Sequence, residues 1–428
     1  MRKKIIKYCM LFITMLLFAS SNIFAQDTIN LKDCIDDAII NSPIYKQKEY
    51  FSNISVLKIS NMQTGYFPQF KFNAQATYQS DVTKINIDLP FPNIEFPSPS
   101  KDQYKIAVEA NQLIYDGGMI YQNKNIERKD KEINIQQTEI ELFKIKELVA
   151  NLYFTLLLNE KKKELIQIFI NEINNRKSFL ESNVKNGTLL PVNIDIIRSE
   201  ELKLQQQLFD INENIKTCFN KLSELTGNSY SNNTFITIPD AQYIVSGNDL
   251  RPENKLFDLQ IEKLNSTQKL INTQLMPKAF LFSQFGYGKP GLNMLSDKFD
   301  SYYILGIGVN WNFFDWNKTK RERQQLIIQQ DIIRSQKDNF NRNIEIAIKN
   351  QISQIEKIRF LLQTDEELII IRENITKVSA SQLDKGLITS TAYITELNAE
   401  KQAKIEYETH KLQIVYETLT LLIMQNLW

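Results

Sequence analysis

Residues 69–80 read QFKFNAQATYQS, and apolar or small residues alternate with polar ones through most of this stretch. A period of two places Phe70 on one face of a strand and Lys71 on the other. Three further stretches show the same alternation, namely DQYKIAVEANQL at 102–113, KAFLFSQFGYG at 278–288 and YYILGIGVNWNFF at 302–314. The sequence therefore predicts four strands, each with an apolar face and a more polar face.

The two faces of these strands differ in chemistry. We predict that the polar face lines water and carries Lys71, Asn73, Gln75, Thr77, Lys105, Glu109, Asn111, Asn310 and Asn312. We predict that the apolar face meets lipid and carries Phe70, Phe72, Tyr78, Ile106, Val108, Leu305, Ile307, Val309 and Trp311. Strands of about 9–11 residues with aromatic ends are typical of strands that cross a membrane. The alternative is a soluble sheet that packs its apolar face into a core.

The N-terminus has the features of a secretory signal. A basic start from Arg2 to Lys7 precedes the apolar run CMLFITMLLFAS, and residues 22–25 read NIFA, a plausible cleavage site. We therefore predict a signal peptide over residues 1–25. Nothing after it is apolar and long enough for a transmembrane helix, so entry into a membrane would require a β-barrel.

Composition argues against several other functions. Lys and Arg number 51 against 50 Asp and Glu, so a nucleic-acid partner has no electrostatic support. The single histidine, His410, lies in a helical stretch and is expected to be a helix-surface or packing residue. Cys34 and Cys218 are expected to be unpaired thiols on helices. No Cys/His cluster, phosphate-binding glycine loop or nucleophile motif occurs, and we predict neither enzymatic activity nor a cofactor.

One pattern occurs twice along the chain. QLIYDGG at 112–118 corresponds to WNFFDWN at 311–317, and VKNGTLLPVNIDII at 184–197 corresponds to LDKGLITSTAYITEL at 383–397. The aspartates of the first pair and the glycines of the second are both 199 residues apart. The sequence therefore predicts a first repeat at 26–228, a linker at 229–250 and a second repeat at 251–428. Each repeat consists of a helix, a strand pair and a long helical hairpin, and the helix of the first repeat is predicted from about Leu31 to Gln63.

Each half contains a very long segment without proline. Residues 117–186 and 316–385 each number 70, which would extend about 105 Å as a continuous helix. Their narrow apolar stripes are formed by Ile145, Leu148, Val149, Leu152 and Leu156, and by Ile344, Ile348, Ile352 and Ile355 followed by Phe360. Such stripes suit coiled-coil-like pairing, and we predict a hollow cylinder of paired helices.

A glycine followed by apolar residues ends each long segment. The predicted hairpin tips are Gly187, Leu189, Leu190, Gly386, Leu387 and Ile388. A glycine at this place is a common helix stop. Exposed leucine and isoleucine would in addition suit the docking of a partner, and the sequence is compatible with both interpretations.

Four strands cannot close a membrane barrel alone. The smallest such barrels have about eight strands, and an open edge in lipid leaves backbone groups unpaired. Several copies must therefore share one barrel. Three copies would give twelve strands, and two would give eight strands with a lumen filled by side chains. The proline-rich stretch KINIDLPFPNIEFPSPSKD at 84–102 is predicted to be an exposed loop.

The chain resembles the outer membrane efflux protein (TolC-like) family in four features. They are the signal peptide, the doubled layout, the DGG after the second strand, and the tips followed by ELNAEKQAKIEYETHKLQIVYETL. The resemblance covers essentially all of the mature chain. It implies an α+β membrane protein whose homotrimer forms a twelve-stranded β-barrel in the outer membrane, continued by a long α-helical barrel across the periplasm. The implied partners are outer membrane lipid, a periplasmic adaptor, and an inner-membrane pump or ATP-driven exporter.

The resemblance also implies a passive exit duct, in drug efflux or in protein secretion, without cofactor or catalysis. Relatives often carry acidic residues after the second tip glycine that narrow the periplasmic entrance. This chain departs from that pattern, and its candidate constriction residues are Asn193, Asp195, Thr395 and Glu396, with Glu396 first. Carboxylates in a symmetric ring would attract cations, whereas the alternative is ordinary solvated helix carboxylates.

The rival to a channel is a non-transport protein, either a coiled-coil scaffold or a periplasmic adaptor whose strands form a soluble β-domain. Two helical hairpins and four alternating strands with aromatic ends favour the channel.

Overall fold

The computed structural model describes residues 28–83, 98–187, 189–230, 234–240 and 251–428. The predicted signal peptide, residues 84–97 of the predicted exposed loop and much of the predicted linker lie outside these ranges.

The elements follow one another in an order that occurs twice. In chain order they are β1 (Thr28–Ile29), α1 (Leu31–Asn41), α2 (Gln47–Gln63), β2 (Gln69–Tyr78), β3 (Asp102–Tyr115), α3 (Met119–Lys185), α4 (Val192–Thr226), β4 (Phe235–Ile236), α5 (Pro252–Asn272), β5 (Lys278–Lys289), β6 (Asp300–Asn310), α6 (Lys318–Asp384) and α7 (Ser390–Met424). Helices α3 and α6 have 67 residues each, and α4 and α7 have 35 each. Each predicted long segment is therefore almost entirely one continuous helix.

The first predicted helix is in fact interrupted. The sequence predicts one amphipathic helix from Leu31 to Gln63, but α1 ends at Asn41 and α2 begins only at Gln47. Ser42 is extended, with ψ 128°, because the ring of Pro43 disfavours helical backbone in the preceding residue. A short 3₁₀ turn at Pro43–Lys46 joins the two helices.

All four predicted strands form one antiparallel sheet in the order β2-β3-β5-β6. The last strand is shorter than the alternation indicates, since β6 ends at Asn310, which pairs with Lys278 at the start of β5. The preceding residue, Pro277, has no N–H with which to continue the pairing. Trp311 and Asn312 therefore lie beyond the sheet, and the strand registers assign neither of them to one of its faces.

The chain divides into two compact units. The first contains β1, α1, α4, β4 and α7, together with α3 from Glu141 and α6 from Asn343. Its core includes the fully buried Val149, Tyr153 and Leu156 of α3. The Tyr153 hydroxyl lies 2.9 Å from the carbonyl oxygen of Ile29 and 2.7 Å from that of Thr237. This tyrosine therefore holds the paired ends of β1 and β4 against the helices.

The predicted stripes of the long helices are only partly buried. Ile348 and Ile355 pack with Leu421 in a small cluster of the first unit. By contrast, Leu148 is half exposed and Phe360 is 69% exposed, so neither belongs to the buried stripe. The buried face of α3 passes through Val149 and Tyr153, which are four residues apart and so point to the same side of the helix. Leu148 precedes Val149 by one residue and points away from the neighbouring helices.

The second unit contains the sheet, α2, α5 and the first parts of α3 and α6. Within it, Lys263 pairs with Asp130 at 2.6 Å and Lys129 with Glu262 at 2.7 Å, so α5 lies along α3. Among the helices of the described ranges, none has an apolar stretch long enough to cross a membrane.

Candidate functional site

The strand registers place one row of side chains from all four strands on a single sheet face. Lys71 lies opposite Glu109, Glu109 opposite Gln284, and Gln284 opposite Ile304. By the same registers, this face carries every predicted polar residue that lies within a strand, namely Lys71, Asn73, Gln75, Thr77, Lys105, Glu109, Asn111 and Asn310. The sheet thus gathers one continuous polar surface from two halves of the sequence.

Side-chain contacts link the strands across this polar face. The Gln284 amide donates to a Glu109 carboxylate oxygen at 2.9 Å, which joins β5 to β3. The Lys105 ammonium lies 5.6 Å from the centre of the Tyr302 ring, an approach that suits a cation–π contact. The polar face therefore carries charged side chains of both signs, at positions that the strand registers fix.

Aromatic residues on the same face are a feature that the sequence analysis missed. Phe280 lies opposite Gly308, and Phe282 lies opposite Gly306. A Cβ atom at Gly306 would be 2.4 Å from Cζ of Phe282, so the missing side chain makes room for the ring. The glycines alternating at 306 and 308 were the available signal, because an aromatic ring often covers a glycine on the neighbouring strand.

The opposite face of the sheet is apolar and uncovered. Phe72, Val108, Phe285 and Tyr303 form one row across the four strands. The face carries the predicted apolar residues that lie within strands, namely Phe70, Phe72, Tyr78, Ile106, Val108, Leu305, Ile307 and Val309, and all of them are exposed. Phe70 is 73% exposed and Ile307 is 72% exposed. An apolar surface of this extent marks a site of contact with a membrane or another protein.

The sheet also has two free edges. Among the described strands, β2 pairs only with β3, and β6 pairs only with β5. Each of these edge strands therefore presents unpaired N–H and C=O groups along one side. Such edges are suited to pairing with strands of another chain.

The two hairpin tips lie together in the first unit. The Ser390 N–H donates to the Asn193 side-chain oxygen at 3.4 Å, which links the start of α7 to the start of α4. The six predicted tip residues divide into two sets. Leu189 and Ile388 pack against the buried cluster that contains Tyr393, whereas Leu190 and Leu387 are each 70% exposed. Gly187 and Gly386 both have left-handed backbone, with φ 74° and 68°.

The candidate constriction residues occupy different environments. Asp195 and Thr395 line a cavity of about 440 Å³ between α4 and α7, together with Glu200 and Lys203. Glu396 does not line this cavity. Its carboxylate instead accepts a hydrogen bond from the Arg372 guanidinium at 3.3 Å. Glu396 is thus paired with a cation on α6, whereas the Asp195 side chain lines the cavity and is exposed.

Two further groups bear on catalysis and metal binding. The His410 Nδ1 lies 2.6 Å from a carboxylate oxygen of the buried Asp365, so this histidine is fixed between α7 and α6. In the described ranges, no group of three or more His, Cys, Asp or Glu side chains is arranged to hold a metal ion. Cys34 and Cys218 are both buried and free.

Comparison with known proteins gives a clear result for structure and none for sequence. No family model matches the chain, and no curated protein matches it. Solved structures match over 92% of the chain. They include the outer membrane protein VceC of Vibrio cholerae, with 13% identity, a TM-score of 0.64 and 95% of that chain covered. The outer membrane channel CmeC of Campylobacter jejuni has 12% identity, a TM-score of 0.64 and 85% coverage.

The open MtrE outer membrane channel of Neisseria gonorrhoeae is similar at 11% identity, with a TM-score of 0.62 and 88% of that chain covered. The chain therefore has the fold of the TolC-like outer membrane channels, and the resemblance seen in the sequence is confirmed at the level of fold. All three of these structures are outer membrane proteins, and two are named as channels.

Proposed function

We propose that copies of this chain form an outer membrane channel, a passive exit duct for an export system. The observation that carries this proposal is the sheet, which has one uncovered apolar face, one polar face and two free edges. In a membrane, the apolar face meets lipid, the polar face lines water, and the edges must find partners. All three requirements are met when the edges of neighbouring copies pair.

The number of copies follows from closure. A four-stranded sheet needs at least one sister sheet to close a barrel, and three copies give twelve strands, within the range of known membrane barrels. The polar face carries long side chains, such as Lys71 and Lys105, which favour a lumen wide enough for water. We therefore propose a homotrimer rather than a dimer with a filled lumen.

The helical parts of the two repeats form the periplasmic continuation of the duct. The recurring lengths of 67 and 35 residues support two repeats with the boundaries 26–228 and 251–428, separated by the linker. The exposed Leu190 and Leu387 at the tips suit docking of a periplasmic adaptor, which would connect the duct to an inner-membrane pump or ATP-driven exporter. The cavity at Asp195 is the better candidate for a constriction than Glu396.

Measurement of copy number and conductance tests the proposal. The purified full-length chain is examined by native mass spectrometry from detergent and by planar bilayer recording. A trimer with discrete current steps is the expected result. A monomer that is well behaved without detergent and gives no current would contradict the channel, and would favour the rival scaffold or adaptor. A conducting dimer would contradict only the twelve-stranded arrangement.

A further inference from the structure

The turn after β6 exposes an unusual set of aromatic side chains. Trp311, Phe313, Phe314 and Trp316 are all more than half exposed, and Trp316 is 78% exposed. Their rings contact one another, with ring centres 5.8 Å apart for Trp311 and Phe313 and 4.8 Å apart for Phe314 and Trp316. The Trp311 indole N–H also donates to the Leu275 carbonyl oxygen at 3.0 Å. None of the four belongs to a buried cluster of the described residues. Packing within the chain therefore does not account for the exposed rings of Phe313, Phe314 and Trp316.

The backbone of this turn is also unfavourable for Trp316. Trp316 and Asn317 have φ 54° and 61°, in the left-handed region. The corresponding positions of the first half are Gly117 and Gly118, with φ 73° and 87°. Left-handed backbone crowds the Cβ atom of any residue other than glycine, and a bulky residue there is rare. The second half thus retains a large exposed side chain where the same turn elsewhere uses glycine.

Four basic residues follow at once, in the first two turns of α6. They are Lys318, Lys320, Arg321 and Arg323, and all are exposed. Cations at a helix N-terminus oppose the helix dipole, so local helix energetics disfavour them. Lys318 lies 3.7 Å from Glu322, but within the described part of the chain Lys320 and Arg323 make no ion pair.

The matching segment of the first half has neither the tryptophans nor most of the basic residues. At the offset of 199 residues, the two tryptophans correspond to Gln112 and Gly117, and three of the four basic residues correspond to Met119, Tyr121 and Gln122. Only Arg323 has a basic counterpart, Lys124. The two tryptophans and three of the four basic residues are therefore specific to the second turn, whereas the position of Phe314 also carries an exposed aromatic residue, Tyr115, in the first half.

We infer that residues 311–323, which we name the interfacial segment, bind the anionic headgroup layer of the membrane at the helical end of the barrel. Tryptophan is favoured at the membrane–water interface because its ring is apolar and its N–H is polar. Lysine and arginine close to the rings are attracted to negatively charged phospholipid headgroups. The occupant is anionic phospholipid, and this inference rests on the proposed function because it requires β6 to cross the membrane.

Fluorescence of a single tryptophan tests this inference in the full-length chain. Only three tryptophans occur, so Trp311→Phe with Trp428→Phe leaves Trp316 as the sole reporter. The protein is reconstituted into vesicles of phosphatidylethanolamine and phosphatidylglycerol in which one of the two lipids is brominated. Bromine quenches an adjacent tryptophan, and the ratio of quenching by the two lipids gives their relative affinity for the segment.

We expect brominated phosphatidylglycerol to quench Trp316 more strongly, with a preference of about fivefold for each basic residue that contacts a headgroup. The combined change Lys320→Gln, Arg321→Gln and Arg323→Gln should bring the preference close to one. The matched control in the first half is Lys124→Gln with Arg128→Gln, which should leave the preference unchanged.

Conductance of the same vesicles separates the two proposals. If current is present and Trp316 is not quenched by either lipid, as it would be if covered by a second copy, the interfacial segment does not bind lipid and the inference is overturned. Equal quenching by both lipids overturns the selection of anionic headgroups. Absence of current in every variant overturns the channel and this inference with it.

Discussion

An arginine in the middle of β6 should distinguish the two faces of the sheet energetically. Leu305 is the central residue of this 11-residue strand and lies on the uncovered apolar face opposite Ser283. Its side chain is 65% exposed in the single chain, so no steric barrier opposes a longer one. The change Leu305→Arg would place a cation near the middle of the lipid layer. The cost at that depth is about 2–4 kcal/mol per chain.

The adjacent residue provides a matched control at the same depth. Ile304 lies on the polar face opposite Gln284, whose amide is bonded to the Glu109 carboxylate. Ile304→Arg would therefore meet water and a nearby anion, and we expect a change below about 1 kcal/mol.

Equilibrium unfolding by urea from lipid vesicles, followed by tryptophan fluorescence and by gel mobility without heating, measures both costs. We expect a large loss of unfolding free energy for Leu305→Arg and a small one for Ile304→Arg. Equal losses at the two positions would refute the assignment of lipid and water to opposite faces, and a larger loss at Ile304 would reverse it.

Three further predictions concern packing and the periplasmic end. Tyr153→Phe removes the hydroxyl bonded to two backbone carbonyls and should lower the free energy of unfolding by about 1–3 kcal/mol. Helical circular dichroism should then be lost at a lower temperature, and an unchanged transition temperature would show that these hydrogen bonds do not stabilise the fold. Gly306→Ala should destabilise the sheet by about 1–3 kcal/mol, because the new Cβ meets the Phe282 ring at 2.4 Å. Phe282→Ala in the same chain should restore part of the loss, and simple additivity would argue against the ring contact. Asp195→Asn should lower the preference of the channel for cations, whereas Glu396→Gln should not, because Arg372 already pairs with the Glu396 carboxylate. The opposite pattern in ion-selectivity recordings would make Glu396 the better candidate for the constriction.

Alternation was sufficient to find the strands and most of their faces. The predicted ranges of the first three strands agree with the structure to within two residues at each end. Alternation alone does not predict where β6 ends. Trp311 and Phe313 continue the alternating pattern, although the partner strand β5 begins only at Lys278 and leaves them unpaired. Alternation describes side chains, whereas the length of a strand depends on the neighbour to which it bonds.

Other features depended on contacts between distant parts of the chain. The register of β3 with β5 joins the two halves, and no local pattern specifies it. In β5 both faces carry aromatic residues, so only the glycines of β6 explain why Phe280 and Phe282 share the polar face. The ion pair of Glu396 with Arg372 likewise joins α7 to α6, and the sequence does not specify how these two helices are aligned side by side.

Cysteine accessibility during bilayer recording shows whether the polar face of the sheet lines a water-filled duct. Asn73 and Phe72 are neighbours on β2 that lie on the polar and the apolar face, opposite Ala107 and Val108. Background reaction should be low, because burial raises the pKa of Cys34 to about 11 and also raises the pKa of Cys218, which leaves little reactive thiolate.

A charged, membrane-impermeant thiol reagent is added to channels carrying either Asn73→Cys or Phe72→Cys. We expect an abrupt fall in current for Asn73→Cys and none for Phe72→Cys. A fall for Phe72→Cys alone, or protein that inserts into the bilayer without conducting, would contradict a water-filled duct lined by the polar face.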